Sequence, residues 1–116
     1  MALLQCNISY AKGKTTVTYT VVKVGGDDEI IFTSSDSKTG IEYEGRSPFT
    51  GSDGPQADQV FRVGKKAGPF KVTVPSDGKP RHFICGELTA VKKRGVGSYE
   101  TTGENFAPWK GGGDTP

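Results

Sequence analysis

The sequence predicts an all-β protein built as an antiparallel β-sandwich, and three observations indicate this fold class. Apolar and polar residues alternate in several short runs, which is the period of a half-buried strand. Clusters of Gly, Pro, Asp and Ser separate these runs. Apolar residues nowhere recur at helical spacing over three turns without an interruption. Short strands separated by turns are typical of a sandwich or a barrel.

Four strands are predicted in the first half of the chain, over residues 7–10, 15–24, 29–34 and 41–44. In the second of them the alternation slips by one residue, because Val22 and Val24 continue on the other parity from Val21. We expect a β-bulge at this point, or a change from one-sided to two-sided burial. Gly25 and Gly26 follow with a tight turn, since glycine adopts the positive φ that such a turn needs. The strand after this turn is apolar on consecutive positions and is expected to be central.

The second half is predicted to hold three further strands, over residues 60–63, 70–74 and 81–88. Residues 45–58 lack periodicity, and we expect a solvated connection between the sheets in preference to a functional loop. The chain is expected to divide into a sandwich domain, residues 1–102, and a flexible Gly-rich tail, residues 103–116, with a frayed end. Phe106 and Trp109 are too large to be left in water without reason, so we expect both to dock on the sandwich.

The charges of the chain are nearly balanced. Its 15 basic and 13 acidic residues give a net charge of +2, so the global charge attracts neither nucleic acid nor an anionic membrane. No run approaches the roughly 18 apolar residues that a membrane span needs. The sequence as written shows no signal peptide, and a cytoplasmic location is expected; a secreted or periplasmic location follows if the sequence starts at a processed N-terminus. We expect Cys6 and Cys85 to be buried thiols, ahead of one disulfide that would close a long loop.

Two stretches carry a resemblance to a known family. Residues 24–32, Val-Gly-Gly-Asp-Asp-Glu-Ile-Ile-Phe, are similar to the strand end Val-x-Gly-Asp-x-Ile-x-Phe with one residue added. Residues 83–86, Phe-Ile-Cys-Gly, are similar to the approach to a copper-binding cysteine. Over residues 17–88 the chain therefore resembles the cupredoxin-like β-sandwiches, and an immunoglobulin-like sandwich is the alternative fold.

The resemblance implies the sandwich fold of this family, but the residues of the chain do not supply its copper site. A type 1 copper site needs a thiolate, two imidazoles and a weak axial ligand that is usually methionine. The chain has a single histidine, His82, and its only methionine is Met1. We therefore expect no copper and no other cofactor.

Metal-dependent and nucleophilic chemistry is not expected from the other candidate residues. His82 and Cys85 are three positions apart, and this odd spacing places them on opposite faces of a strand. A buried thiol and a surface histidine are expected instead of a metal site or a Cys–His nucleophile. Asp27, Asp28 and Glu29 lie beside a turn without the spacing of a calcium loop. We expect a non-enzymatic protein.

Two classes of function stay open. The first is a binding or structural module, for which a protein partner or self-association is expected ahead of nucleic acid. The second is a single-stranded nucleic-acid-binding domain, which would contact phosphates with basic loops and stack bases on Tyr99, Phe106 and Trp109. The candidate surface residues are Arg46, Phe49, Lys65, Lys66, Lys92, Lys93, Arg94 and Trp109.

Overall fold

The chain forms two β-sheets, with no helix in the residues that the structure describes. The computed structural model describes residues 1–11, 13–49, 51, 53–74, 81–94 and 100–115, and for residues 91–94 and 100–104 it describes the backbone alone. The strands of these residues are β1 (Ala2–Ala11), β2 (Lys14–Val24), β3 (Glu29–Ser34), β4 (Thr39–Tyr43), β5 (Phe61–Arg62), β6 (Lys66–Lys71), β7 (Arg81–Arg94), β8 (Glu100–Phe106) and β9 (Gly111–Thr115). The predicted all-β sandwich is confirmed. Within the same residues, no helix is long and apolar enough to cross a membrane.

The strands are shared between two sheets. Sheet A has the order β2-β1-β3-β6, and sheet B has the order β5-β4-β7-β8, with β9 also paired to β7. The strand pairs are antiparallel except for β1 and β3, which run parallel. β8 and β9 follow one another along β7, since Leu88 pairs with Phe106 and Cys85 pairs with Gly111.

The β-bulge predicted near Val21 and Val22 is confirmed. Leu3 pairs with Lys23, whereas Leu4 pairs with Val21, so Val22 is an extra residue in β2. One extra residue moves every later side chain to the other face of a strand. The bulge is therefore the physical reason why the alternation changes parity at this point of the sequence.

The turn at Gly25 and Gly26 carries the chain across the end of β1. Both glycines have positive φ, +100° and +73°. The Gly25 N–H donates to the carbonyl of Met1 at 2.9 Å, and the Ala2 N–H donates to the Asp28 carboxylate at 3.0 Å. β3 therefore joins sheet A on the other side of β1 from β2, in the interior position that its consecutive apolar residues predict.

The core between the sheets is rich in aromatic side chains. Phe32, Tyr43 and Phe83 have no exposed surface, and the ring centroids of Tyr43 and Phe83 are 5.3 Å apart. Phe49 is 3% exposed, with its ring centroid 6.2 Å from that of Phe32 and 5.8 Å from that of Phe70. The expectation that Phe49 belongs to a binding surface disagrees with this burial.

The connection over residues 45–58 is tied to the sandwich by hydrogen bonds. The Pro48 carbonyl accepts bonds from the N–H groups of Thr73 and Val74, both at 3.1 Å. The Ser47 hydroxyl donates to the Pro55 carbonyl at 2.6 Å, and Pro55 is buried. The connection is therefore a packed segment that covers the core with Phe49, and it is less solvated than the sequence predicts.

β6 begins earlier than the sequence indicates. Lys66 pairs with Thr33 and Phe70 pairs with Ile30, with a register shift between the two pairs. Gly68 has a φ of +99° at this shift, and a bulge of this kind is how an edge strand accommodates a Gly-Pro pair. The predicted basic loop over residues 64–69 is therefore partly strand. The predicted turn over residues 75–80 lies outside the described residues.

The C-terminal residues form strands where the sequence predicts a frayed end. The proposed domain boundary at residue 103 lies inside β8, and β9 pairs with the start of β7. A Cβ added at Gly111 would lie 2.6 Å from the Thr15 carbonyl oxygen, and one added at Gly112 would lie 2.7 Å from that of Phe83. The glycines are therefore what allows β9 to pack so closely. Phe106 is half-buried, and Trp109 keeps 36% of its surface exposed.

β7 continues beyond the sandwich. β4 pairs with β7 as far as Glu87, and past Leu88 the only strand paired with β7 in the described residues is β8. We call residues 88–94 together with β8 the β-arm. Its seven residue pairs span roughly 20 Å at the rise of a strand, and the molecule is elongated, with extents of 53 × 32 × 22 Å.

Candidate functional site

Three hydrogen bonds gather distant parts of the chain at the end of the sandwich from which the β-arm extends. The Ser34 N–H donates to the Lys65 carbonyl at 2.9 Å, and the Leu88 N–H donates to the Lys38 carbonyl at 2.7 Å. The Thr15 hydroxyl donates to the Trp109 carbonyl at 2.6 Å. The start of β2, the end of β3 and the base of the β-arm therefore lie at one end of the molecule.

This end carries a group of exposed lysines, which we call the basic end. Its members are Lys14, Lys38, Lys65, Lys66 and Lys110. Arg62 lies beside them, with its guanidinium donating to the Ser37 carbonyl at 3.1 Å. The described carboxylates here are those of Asp36 and Glu87, both half-buried. No described carboxylate forms an ion pair with the five lysines, so the positive charge of this surface is free to act on a ligand.

The β-arm adds further cationic residues to the same end. The backbone of Lys92, Lys93 and Arg94 lies in the outer part of β7, paired with residues 100–102 of β8. Their side chains lie outside the described residues, as does the whole of Tyr99. By sequence, these three cations exceed the two acidic residues of β8, Glu100 and Glu104. The outer part of the β-arm is therefore basic in sequence, with its backbone extending from the basic end.

The structure brings most of the predicted surface residues together and separates two of them. Lys65 and Lys66 belong to the basic end, Trp109 lies beside its member Lys110, and the backbone of Lys92–Arg94 lies beyond it. Arg46 follows β4, at the opposite end, and Phe49 is in the core. Sequence reasoning did not find Lys14, Lys38 or Lys110, because single lysines in three separate turns give no local signal and only strand pairing makes them neighbours.

The opposite end of the sandwich is acidic. It carries the turn before β3, the end of β4 and the end of β9, where the Glu44 N–H donates to the His82 carbonyl at 2.9 Å. The carboxylates there are those of Asp27, Asp28, Glu29, Glu44, Asp53, Asp58 and Asp114. Several of them are paired: Asp27 lies 3.1 Å from the Lys71 ammonium, and Asp114 accepts a bond from His82 Nδ1 at 2.7 Å. The seven carboxylates outnumber the basic side chains that the structure describes at this end, those of Lys23, Arg46, Lys71 and Arg81. The net charge of +2 therefore conceals a molecule that is positive at one end and negative at the other.

A cleft of about 310 Å³ lies at the acidic end. Its lining includes the rings of Phe49 and Phe70 together with Glu29, Asp53 and Lys71. The cleft is therefore separate from the basic end and shares none of its lysines.

Trp109 is held on a short turn between β8 and β9. The Ala107 N–H donates to the Glu87 carbonyl at 2.9 Å, and the Lys110 N–H donates to the Ala107 carbonyl at 3.1 Å. Ala107 is 1% exposed. With the Thr15 bond to its carbonyl, the Trp109 backbone is therefore fixed on both sides of the turn.

The two cysteines are buried free thiols, as the sequence predicts. Burial raises the pKa of the Cys85 thiol to about 12 and that of the Cys6 thiol to about 11. Both thiols are therefore neutral near pH 7, and a neutral thiol is a poor nucleophile and a poor metal ligand. His82 is exposed while Cys85 is not, so the prediction that they occupy opposite faces of one strand is confirmed. Among the described side chains, no three His, Cys, Asp or Glu residues are grouped as a metal site.

No protein-family model matches the chain, and neither a curated protein nor a solved structure matches it closely enough to indicate a family. The resemblance to cupredoxin-like sandwiches stays a prediction.

Proposed function

We propose that the protein is a non-enzymatic module that binds nucleic acid through the basic end. The observation that carries this proposal is the separation of charge along the molecule, with five exposed lysines at the end where the β-arm extends and most of the carboxylates that the structure describes at the other. A surface of one sign attracts a polyanion even when the net charge is small, because the potential near it is set by local charges.

The dimensions of the basic end fit an extended phosphate backbone. Lys65 and Lys66 lie beside β3 and β6 at one side, Lys38 lies at the base of the β-arm, and Lys14 and Lys110 lie on the side of β2 and β9. Four strands at about 4.8 Å spacing separate the two sides by roughly 15 Å. Separate lysines across such a width can each contact a different phosphate of one strand.

The chemistry of the site favours phosphate binding over catalysis. Lysine supplies up to three N–H donors and a positive charge but no acceptor, which suits anionic oxygen atoms. An acidic protein could also bind these lysines through its carboxylates. It lacks the regularly spaced phosphates of a nucleic acid, which widely separated lysines can contact one by one. Poly-L-glutamate, a polyanion without phosphates, is the probe that distinguishes this partner class from nucleic acid.

The double variant Lys65→Gln, Lys66→Gln is expected to weaken binding of a fluorescein-labelled single-stranded oligonucleotide about tenfold at 0.1 M salt, because two phosphate contacts and their counterion release are lost. Fluorescence anisotropy measures the affinity. The matched control is Lys23→Gln, Lys71→Gln, which removes the same charge from exposed lysines at the acidic end and is expected to leave binding within twofold. Equal losses in both variants, or binding of poly-L-glutamate without binding of the oligonucleotide, would contradict the proposal.

A further inference from the structure

We infer that Trp109 stacks on an unpaired base and makes the basic end selective for single strands over duplexes. This inference rests on the proposed function, and it adds the chemical group that the site recognises besides phosphate.

The position of Trp109 sets it apart from the other exposed apolar residues. The large hydrophobic side chains exposed in the described part of the chain are those of Met1, Val21, Val22, Val24, Val60 and Trp109. Trp109 is the one aromatic residue among them, and it lies at the basic end. Met1 and the exposed valines of β2 lie at the acidic end, beside the turn that precedes β3. An indole with 36% of its surface exposed therefore lies next to the exposed lysines of the basic end.

The immediate neighbours of Trp109 are suited to a nucleotide. Lys110 follows it directly, and Lys14 precedes Thr15, whose hydroxyl binds the Trp109 carbonyl. Both lysine side chains are exposed. A base on the indole would therefore have two exposed lysines close by for its flanking phosphates, which is the combination of stacking and charge that single-strand-binding surfaces use.

The turn that carries Trp109 is fixed before any ligand arrives. Its backbone is bonded to Glu87 through Ala107 and to Thr15 through the Trp109 carbonyl. Gly111, the first residue of β9, passes so close to Thr15 that an added Cβ would lie 2.6 Å from the Thr15 carbonyl oxygen. A fixed turn reduces the ordering cost of binding, so more of the stacking energy contributes to affinity.

Stacking of this kind discriminates between nucleic-acid forms. The bases of a duplex are already stacked and paired, and an indole on the protein surface reaches their faces only after a base is unstacked. A single strand presents its bases without that cost. Phosphate contacts therefore serve both forms, while Trp109 favours the single strand.

Trp109 is the only tryptophan of the chain, so intrinsic fluorescence reports on it directly. We expect a single-stranded oligonucleotide to quench this fluorescence on binding, and inorganic polyphosphate of matched charge to bind without quenching it. Trp109→Ala is expected to weaken single-strand binding by about tenfold or more and to leave duplex and polyphosphate binding within twofold. Trp109→Phe, which keeps an aromatic face, is expected to retain most of the single-strand affinity.

The outcomes separate the two proposals. Failure of both the oligonucleotide and polyphosphate to bind would overturn the proposed function. Binding of both without quenching, with Trp109→Ala unchanged in single-strand affinity, would overturn the stacking inference alone. Circular dichroism and thermal melting of the variants establish that a loss of affinity does not arise from unfolding.

Discussion

Truncating the chain before Gly111 is expected to lower the free energy of unfolding by about 4 kcal/mol, or to prevent folding, because β9 completes sheet B. The truncation removes the five residue pairs that β9 makes with the start of β7. It also removes Thr115, whose hydroxyl is 2.6 Å from that of buried Tyr43, and leaves a buried phenol without its partner. Gly113, which lies against the Phe83 ring, is lost as well, so part of the aromatic core is exposed.

Chemical denaturation followed by circular dichroism measures this loss. Asp114→Ala is the matched control within β9, because it removes only the exposed bond to His82 and is expected to cost less than about 1 kcal/mol. An unchanged denaturation midpoint after truncation would show that the C-terminal residues are the free tail that the sequence predicts.

Phe32→Ala is expected to lower the free energy of unfolding by about 4 kcal/mol, the scale for deletion of a buried aromatic ring. Phe32 has no exposed surface, and its ring centroid lies 6.2 Å from those of both Phe49 and Phe70. The substitution leaves a cavity between the rings of Phe49 and Phe70, which belong to two other segments of the chain and are each held by their own packing.

Ile31→Ala is the matched control for this core variant. Ile31 is the next residue of β3 and lies on the outer face of sheet A, where it is half-buried. We expect a loss of about 1 kcal/mol, because the side chain is only partly removed from water. Urea denaturation measures the free energy of unfolding of both variants. Similar losses of this free energy for Phe32→Ala and Ile31→Ala would contradict the assignment of one face of β3 to the core and the other to the surface.

Local pattern in the sequence was sufficient for part of the fold. The bulge at Val22, the positive φ of Gly25 and Gly26, and the opposite faces of His82 and Cys85 follow from strand period and glycine stereochemistry, which act over a few residues. The parallel pairing of β1 with β3 is different, since it depends on the turn crossing the end of β1 and has no signal within either strand.

β9 shows why the C-terminal strands were not predicted. A run of three glycines, Gly111, Gly112 and Gly113, has no side-chain alternation and is ordinarily a sign of a loop. Their small size is required by the close approach of Thr15 and the Phe83 backbone, and those neighbours come from distant parts of the chain.

The candidate site was predictable only in part for the same reason. Consecutive cations are visible in the sequence, and they occur at Lys65–Lys66 and again at Lys92–Arg94. Trp109 is visible as a candidate because of its size. Lys14, Lys38 and Lys110 join them through strand pairing alone. Phe49 was misplaced because the loop that carries it folds back on the core, and an aromatic residue in an aperiodic segment has no pattern that indicates burial.

The salt dependence of oligonucleotide binding tests the central claim, that the lysines of the basic end bind phosphates, most directly. The affinity of the unmodified protein for a single-stranded oligonucleotide is measured by fluorescence anisotropy between about 0.05 and 0.2 M salt. Release of counterions by four to five phosphate contacts predicts a linear fall of log affinity with log salt concentration, with a slope of about −3 at roughly 0.7 per contact. An affinity that does not change over this range, or an oligonucleotide that does not bind even at the lowest salt, would contradict the account.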